Sequence, residues 1–212
     1  INVQPAGFRQ ILLNQVLYAD ACNFNNIYVC ALPKVSQGSS LKYILPAQKE
    51  IIVSNTRDFK TLTTEITFLD PIYKALSFGV KTNDTVNVED RIYCYLDLVK
   101  SKTSRRSSRS IQQEAITTFL TAFDPTTARL GSTFNYSSLV SNLLAIEGVS
   151  KIRTVRSDTN ESFDGLSFFL WNPVYPDLDK QSVVNNIQMK DFELFYLDGI
   201  SALNSRIFVS EE

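Results

Sequence analysis

Apolar residues along the middle of this chain switch repeatedly between the two-residue period of strands and the helical period, and the order of those switches restricts the available folds. Ile27, Val29 and Ala31 alternate with Tyr28, Cys30 and Leu32, apolar on both sides. That pattern predicts a buried strand ending at Pro33. Pro46 suits a first helical turn, where its missing N–H costs nothing, and Ala47, Ile51, Ile52, Phe59 and Leu62 fall on one helix face. Ile66 and Phe68 predict a strand closed by Asp70-Pro71. In the next run Ile72, Leu76, Phe78 and Val80 share a face opposite Ala75, Ser77 and Gly79. After a turn at Thr82–Thr85, Ile92, Cys94, Leu96 and Leu98 line a further strand, opposite Tyr93, Tyr95 and Val99.

Two helices follow. Ser110-Ile111-Gln112-Gln113 matches a capping box ahead of Ile111, Ala115, Ile116, Phe119, Leu120 and Phe123. Asn135 caps a second helix over Tyr136–Glu147, carrying Leu139, Val140, Leu143 and Leu144, with Gly148 placed for a left-handed stop. Val149 to Val155 then reads as a strand. The order strand, helix, strand, strand, helix, helix, strand predicts an α+β fold of ferredoxin-like type, a βαββα(α)β antiparallel sheet with helices on one face. The expected organisation has three parts. Residues 1–25 are the helical end of a preceding segment, in which Phe8, Ile11, Leu12, Val16 and Ala19 recur at helical spacing; 26–156 are the α+β domain; and 157–212 are a C-terminal interaction extension. The opening Ile1, in place of methionine, reads as a fragment or processed product.

That extension is aromatic. Phe163, Phe168, Phe169, Trp171, Phe192, Phe195, Tyr196 and Phe208 crowd it. Aromatics are enriched at the centres of protein interfaces, so Phe168, Phe169, Trp171, Phe192, Phe195 and Tyr196 are the expected contact residues of a homodimer or higher oligomer.

Missing residues exclude much chemistry. There is no histidine, which removes imidazole bases, Ser-His-Asp and Cys-His nucleophiles and histidine-ligated metals together. Cys22, Cys30 and Cys94 are odd in number and lack C-x-x-C spacing, as expected of buried reduced thiols. The acidic groups Asp177/Asp179 and Asp158/Glu161/Asp164 could offer oxygen ligands to a hard cation, but neither has calcium-loop spacing, and surface carboxylates explain them as well. No Gly-rich phosphate cradle and no G-x-S-x-G occurs. The expectation is a protein without catalytic residues, metal, cofactor or small-molecule substrate. Sequons at Asn83, Asn135 and Asn160 lack a signal peptide to give them meaning, and no apolar run is long enough to span a membrane.

Net charge is −1, against a broad nucleic-acid-binding face. Charge is concentrated only in Lys100–Arg109, KSKTSRRSSR, with Lys100, Lys102, Arg105, Arg106 and Arg109 and no apolar residue. Arg105, Arg106 and Arg109 are the expected contacts of a mobile hairpin tip with an acidic neighbour. The alternative is an RNA-binding module in which Tyr93 and Tyr95 stack bases beside this run, although the aromatic signature of such modules is absent.

Several stretches resemble one family. They are Ile27-Tyr28-Val29 before a Pro-containing loop, the helix Ala47–Phe59, KTLTTEITFLDP over Lys60–Pro71 leading into Ile72–Val80, and FNYSSLVSNLLAIEGVSKIRTV over Phe134–Val155. Together they are similar to the C-terminal part of the baseplate J-like family, the baseplate wedge proteins of T4-like contractile phages. The basic run before Ser110 departs from the family pattern, and the match weakens after Arg156. The resemblance implies a non-catalytic structural subunit of the tail baseplate in the virion, assembled in the host cytoplasm. Its implied partners are copies of itself and other wedge proteins.

Overall fold

The computed structural model describes residues 26–34, 43–57, 65–80, 87–176 and 180–211. The helix expected up to Ala19, Cys22, the ends of the expected helical face at Phe59 and Leu62, the Thr82–Thr85 turn and Asp177/Asp179 lie outside them. The chain divides into two compact units, with the boundary of the described residues at Pro71/Ile72.

In the first unit, β1 (Asn26–Cys30) and β2 (Glu65–Leu69) pair in parallel, Asn26 opposite Glu65 and Cys30 opposite Leu69. Parallel neighbours need a crossover, and α1 (Pro46–Thr56) lies within it. Pro46 opens the helix as expected, and the Leu45 N–H donates to Gln48 Oε1 at 3.0 Å, satisfying one amide of the first turn. No residue of α1 is buried, so Ala47, Ile51 and Ile52 do not form the core face that their spacing suggests.

The second unit is α+β and holds two four-stranded sheets built on one plan. In the first, β3 (Ile72–Phe78) lies between β11 (Glu193–Leu197), parallel to it, and β8 (Phe168–Trp171), antiparallel, with β9 (Gln181–Val183) beyond. In the second, β4 (Cys94–Lys100) lies between the parallel β12 (Ile207–Glu211) and the antiparallel β6 (Val149–Arg156), with β7 (Ser162–Asp164) beyond. The short strands β5 (Thr133–Phe134) and β10 (Ile187–Gln188) pair with each other. The expected single antiparallel sheet is therefore replaced by mixed sheets. β3 and β4 go to different sheets because each is flanked by strands from the last third of the chain.

The described part of 157–212 is thus no appendage: β7, β8, β9, β11 and β12 complete the two four-stranded sheets. All four residues of β8 are buried, the pattern of a strand covered on both faces.

Helices α2 (Ser108–Ala122) and α3 (Tyr136–Leu144) pack on β12 and β6 respectively. From α2, Ile111, Ala115, Ile116 and Phe119 are buried, and from α3, Leu139 and Leu143, as the helical spacing predicts. Leu120 and Leu144 are exposed instead. Burying a side chain such as Phe119 completely contributes about 1.5–3 kcal/mol. Phe78 stacks on Phe168 at 5.3 Å and meets the edge of Phe119 at 5.6 Å. The α2 cap is Ser107, whose Oγ accepts from the Ser110 N–H at 3.2 Å, so the helix starts earlier than the Ser110 capping box predicts. A serine one turn upstream supplies the same oxygen, and the longer helix wins. Asn135 caps α3 as expected, and Gly148 has φ +96°.

Candidate functional surface

Sheet β12-β4-β6-β7 has two unlike faces because side chains alternate along each strand. Leu96, Leu98, Ile152 and Ile207 point into the core with α2 and α3. The register places Tyr95, Asp97 and Val99 on the other face, beside Arg153 and Val155 of β6 and Phe208 and Ser210 of β12. Asp97 is only 6% exposed there, because its neighbours close over it. Arg153 Nη2 donates to Asp97 Oδ2 at 2.6 Å, the Ser210 hydroxyl donates to the same oxygen at 3.0 Å, and the Ser210 N–H donates to Oδ1 at 3.2 Å. Tyr95 and Phe208 meet edge to face at 4.8 Å.

The two ends of this sheet carry opposite charge. At one, Cys94 pairs with Arg156, and the Arg156 guanidinium bridges two carboxylates. It lies 3.3 Å from Asp90 Oδ1 and donates from Nε and Nη2 to the two oxygens of Asp158 at 2.7 and 2.9 Å. Asp90, in a 3-10 helix over Val88–Ile92, is held above the usual carboxylate range chiefly by burial, despite the attraction of Arg156. Asp158 is held below it, first by the Arg156 hydrogen bonds. Glu89, Ile92, Tyr93 and Glu161 are exposed at this end.

At the other end stands the basic run, which links a strand to a helix and is not a hairpin tip. Arg106 is tied down: it pairs with Glu114 at 2.7 Å and donates to Ser110 Oγ at 2.9 Å and to the Glu147 carbonyl at 3.4 Å. Lys100 pairs with Glu211 at 3.4 Å. Lys102, Arg105 and Arg109 are exposed and make no side-chain ion pair or hydrogen bond with a described residue. The seven residues of β4, rising ~3.3 Å each, put Tyr93 and the basic run about 20 Å apart. Tyr95, moreover, packs on Phe208.

Three of the expected aromatic contacts are buried inside the second unit, and the other three are half-buried. Phe168, Phe169 and Trp171 are 1, 3 and 4% exposed and offer no surface to a partner. Phe195 packs at 6.0 Å from Phe123 and 5.2 Å from Phe134, Tyr196 lies against Ala75, Phe169 and Trp171, and Phe192 is half-buried. Of the acidic residues considered for a cation, Asp158 is taken by Arg156 and Asp164 by Lys151 at 2.8 Å. No metal-type cluster occurs among the described residues. Cys30 and Cys94 are free thiols; burial is the main cause that pushes Cys30 up to about 11 and raises Cys94. Thiols so shifted are poor nucleophiles at neutral pH.

Elsewhere, a cleft of about 780 Å³ opens beside Lys74, Leu170, Glu193 and the 180–190 segment, with Lys74 Nζ 3.1 Å from Glu193 Oε1. Sequence reasoning did not find the Asp97–Arg153–Ser210 network or the Arg156 bridge. The available signal was a charge, Asp97, between Leu96 and Leu98 in the middle of β4. Among the described residues no helix is long and apolar enough to cross a membrane. No protein-family model matches this chain, and no curated protein does.

Proposed function

We propose that this chain is a non-catalytic structural subunit of a contractile phage tail baseplate, a wedge component that acts through contacts with copies of itself and with other wedge proteins. The observation that carries the reading is α1. Tyr43, Leu45, Ile51 and Ile52 are 46, 63, 58 and 36% exposed, on and just before a helix that buries none of its residues. An 11-residue helix is marginal in water without a packed face, and on this reading a neighbouring wedge protein supplies the cover. The stretch whose sequence resembles the baseplate J-like family adds support: it folds as α3, a left-handed Gly148 and β6. On this reading the protein resides in the virion tail after assembly in the host cytoplasm.

Reconstitution tests it. Mixed with the remaining wedge proteins of a contractile-tailed phage, the chain should enter a six-fold ring visible by electron microscopy. Ile51→Asp with Ile52→Asp should abolish incorporation while leaving the near-ultraviolet circular dichroism of the second unit's aromatic core unchanged. A chain that stays outside the ring, or a double variant that still incorporates, overturns the reading.

A further inference from the structure

We propose that copies of this chain associate head to tail, the basic β4–α2 turn of one copy docking on the acidic end of sheet β12-β4-β6-β7 of the next. The partner is a second copy because one sheet carries both halves of the match. The run from Lys100, the last residue of β4, to Arg109 in the first turn of α2 contains no acidic residue, and after Lys100 and Arg106 are paired it still presents Lys102, Arg105 and Arg109 to solvent. At the opposite end, Arg156 is shared between Asp90 and Asp158, which leaves Glu89 and Glu161 exposed without an ion pair to a described residue. Both lie near enough to Asp90 to disfavour its ionisation further.

Each end also offers apolar contact inside its charged rim, the composition of a specific interface. Ile92 and Tyr93 are 66 and 44% exposed beside Glu89. Leu144 is 45% exposed at the end of α3, whose following turn accepts a hydrogen bond from Arg106 through Glu147.

Geometry decides the mode. The patches lie at the two ends of β4, about 20 Å apart along the strand direction, so they meet end to end and not side by side. Joining two different surfaces is heterologous, and repeating the contact gives a ring if the rotation closes or a filament if it does not. This inference needs the isolated chain alone. It can therefore fail while baseplate incorporation stands, or stand while that fails.

The test is sedimentation velocity of the purified chain over a concentration series at roughly 0.05 M and roughly 0.5 M salt, since screening weakens exposed charge contacts. Species beyond two copies should form at low salt and fall back to one at high salt. Arg105→Glu with Arg109→Glu should remove association, as should Glu89→Lys with Glu161→Lys, each with unchanged circular dichroism. An equimolar mixture of the two variants should restore it, because each reversed patch then faces its complement. A chain monomeric throughout, growth that stops at the dimer, or reversals without effect would overturn the proposal.

Discussion

Ser104 occupies the space that a Cβ on Gly148 would need: its hydroxyl oxygen and Cβ both lie inside contact distance of that position, with Ile111 Cδ1 at 3.3 Å. Gly148 also has φ +96°, a backbone conformation that residues with a Cβ adopt only at a cost. Its carbonyl accepts the Ser101 N–H at 2.9 Å, so this one residue locks the exit of α3 to the start of the β4–α2 turn.

Gly148→Ala should therefore lower stability by about 1–2 kcal/mol from backbone strain, and by more from the collision with Ser104. Thermal and urea melts check it. Adding Ser104→Gly should recover the collision part and leave the strain. An alanine variant as stable as the parent would mean that the chain relaxes to negative φ without loss.

Much of the second unit was legible because its signals are local. Leu96 and Leu98 sit on the core side of β4, Phe119 and Leu143 on the core side of their helices, and Asn135 and Gly148 bracket α3, each inferred from spacing within a few residues. Pairing is not local. Leu194 joins Tyr73 across more than half of the chain, and no periodicity within either strand names its neighbour. The same limit explains Phe168 and Trp171. An aromatic run is equally consistent with an interface centre and with a strand buried on both faces, and only the position of β8 beside β3 decides it. Asp97 advertised a partner, but choosing Arg153 required the β4–β6 register, in which those two residues stand directly opposite. In the first unit the spacing of Ala47, Ile51 and Ile52 was that of a core face, yet the structure leaves these residues exposed. Spacing identifies an apolar face without saying which chain covers it.

The Asp97 network gives a second prediction. Asp97→Ala removes the acceptor of three hydrogen bonds and leaves the Arg153 guanidinium half-buried without a carboxylate, with only the Ser210 hydroxyl oxygen still accepting from it at 3.1 Å. Truncating one member of a buried pair costs about 3–5 kcal/mol; with Arg153 still 35% exposed, a loss of about 2 kcal/mol is expected. Arg153 Nε is already buried without a hydrogen-bond partner among the described residues, so the ion pair is imperfect as it stands. Asp97→Ala combined with Arg153→Met should therefore be more stable than Asp97→Ala alone, because no uncompensated charge remains. Denaturant melts of both variants and the parent decide it, and equal losses in the two would show that the charge is solvated well enough to need no partner.

Asp90 gives the last prediction, one of pH dependence. Burial raises its carboxyl above the ordinary range, and Asp158, Glu89 and Glu161 add to that against the opposing pull of Arg156. A carboxyl raised in the folded state binds protons there that the unfolded chain has already released. Its contribution to stability is fully present below the unfolded pKa and is lost as pH rises through the folded one. Wherever Asp90 is ionised, the folded protein therefore holds it less well than it would hold the neutral form. Asp90→Asn keeps the shape and the neutral state at every pH, while Arg156 retains its two hydrogen bonds to Asp158. The variant should melt at a higher temperature than the parent at neutral pH. That advantage should shrink through the acidic range and vanish once Asp90 is protonated in both folded and unfolded chains. Melting temperatures of the two proteins across the acidic to neutral range provide the measurement. A variant less stable at neutral pH would show that Arg156 holds the charge more strongly than burial opposes it, and the sign of the dependence would then reverse.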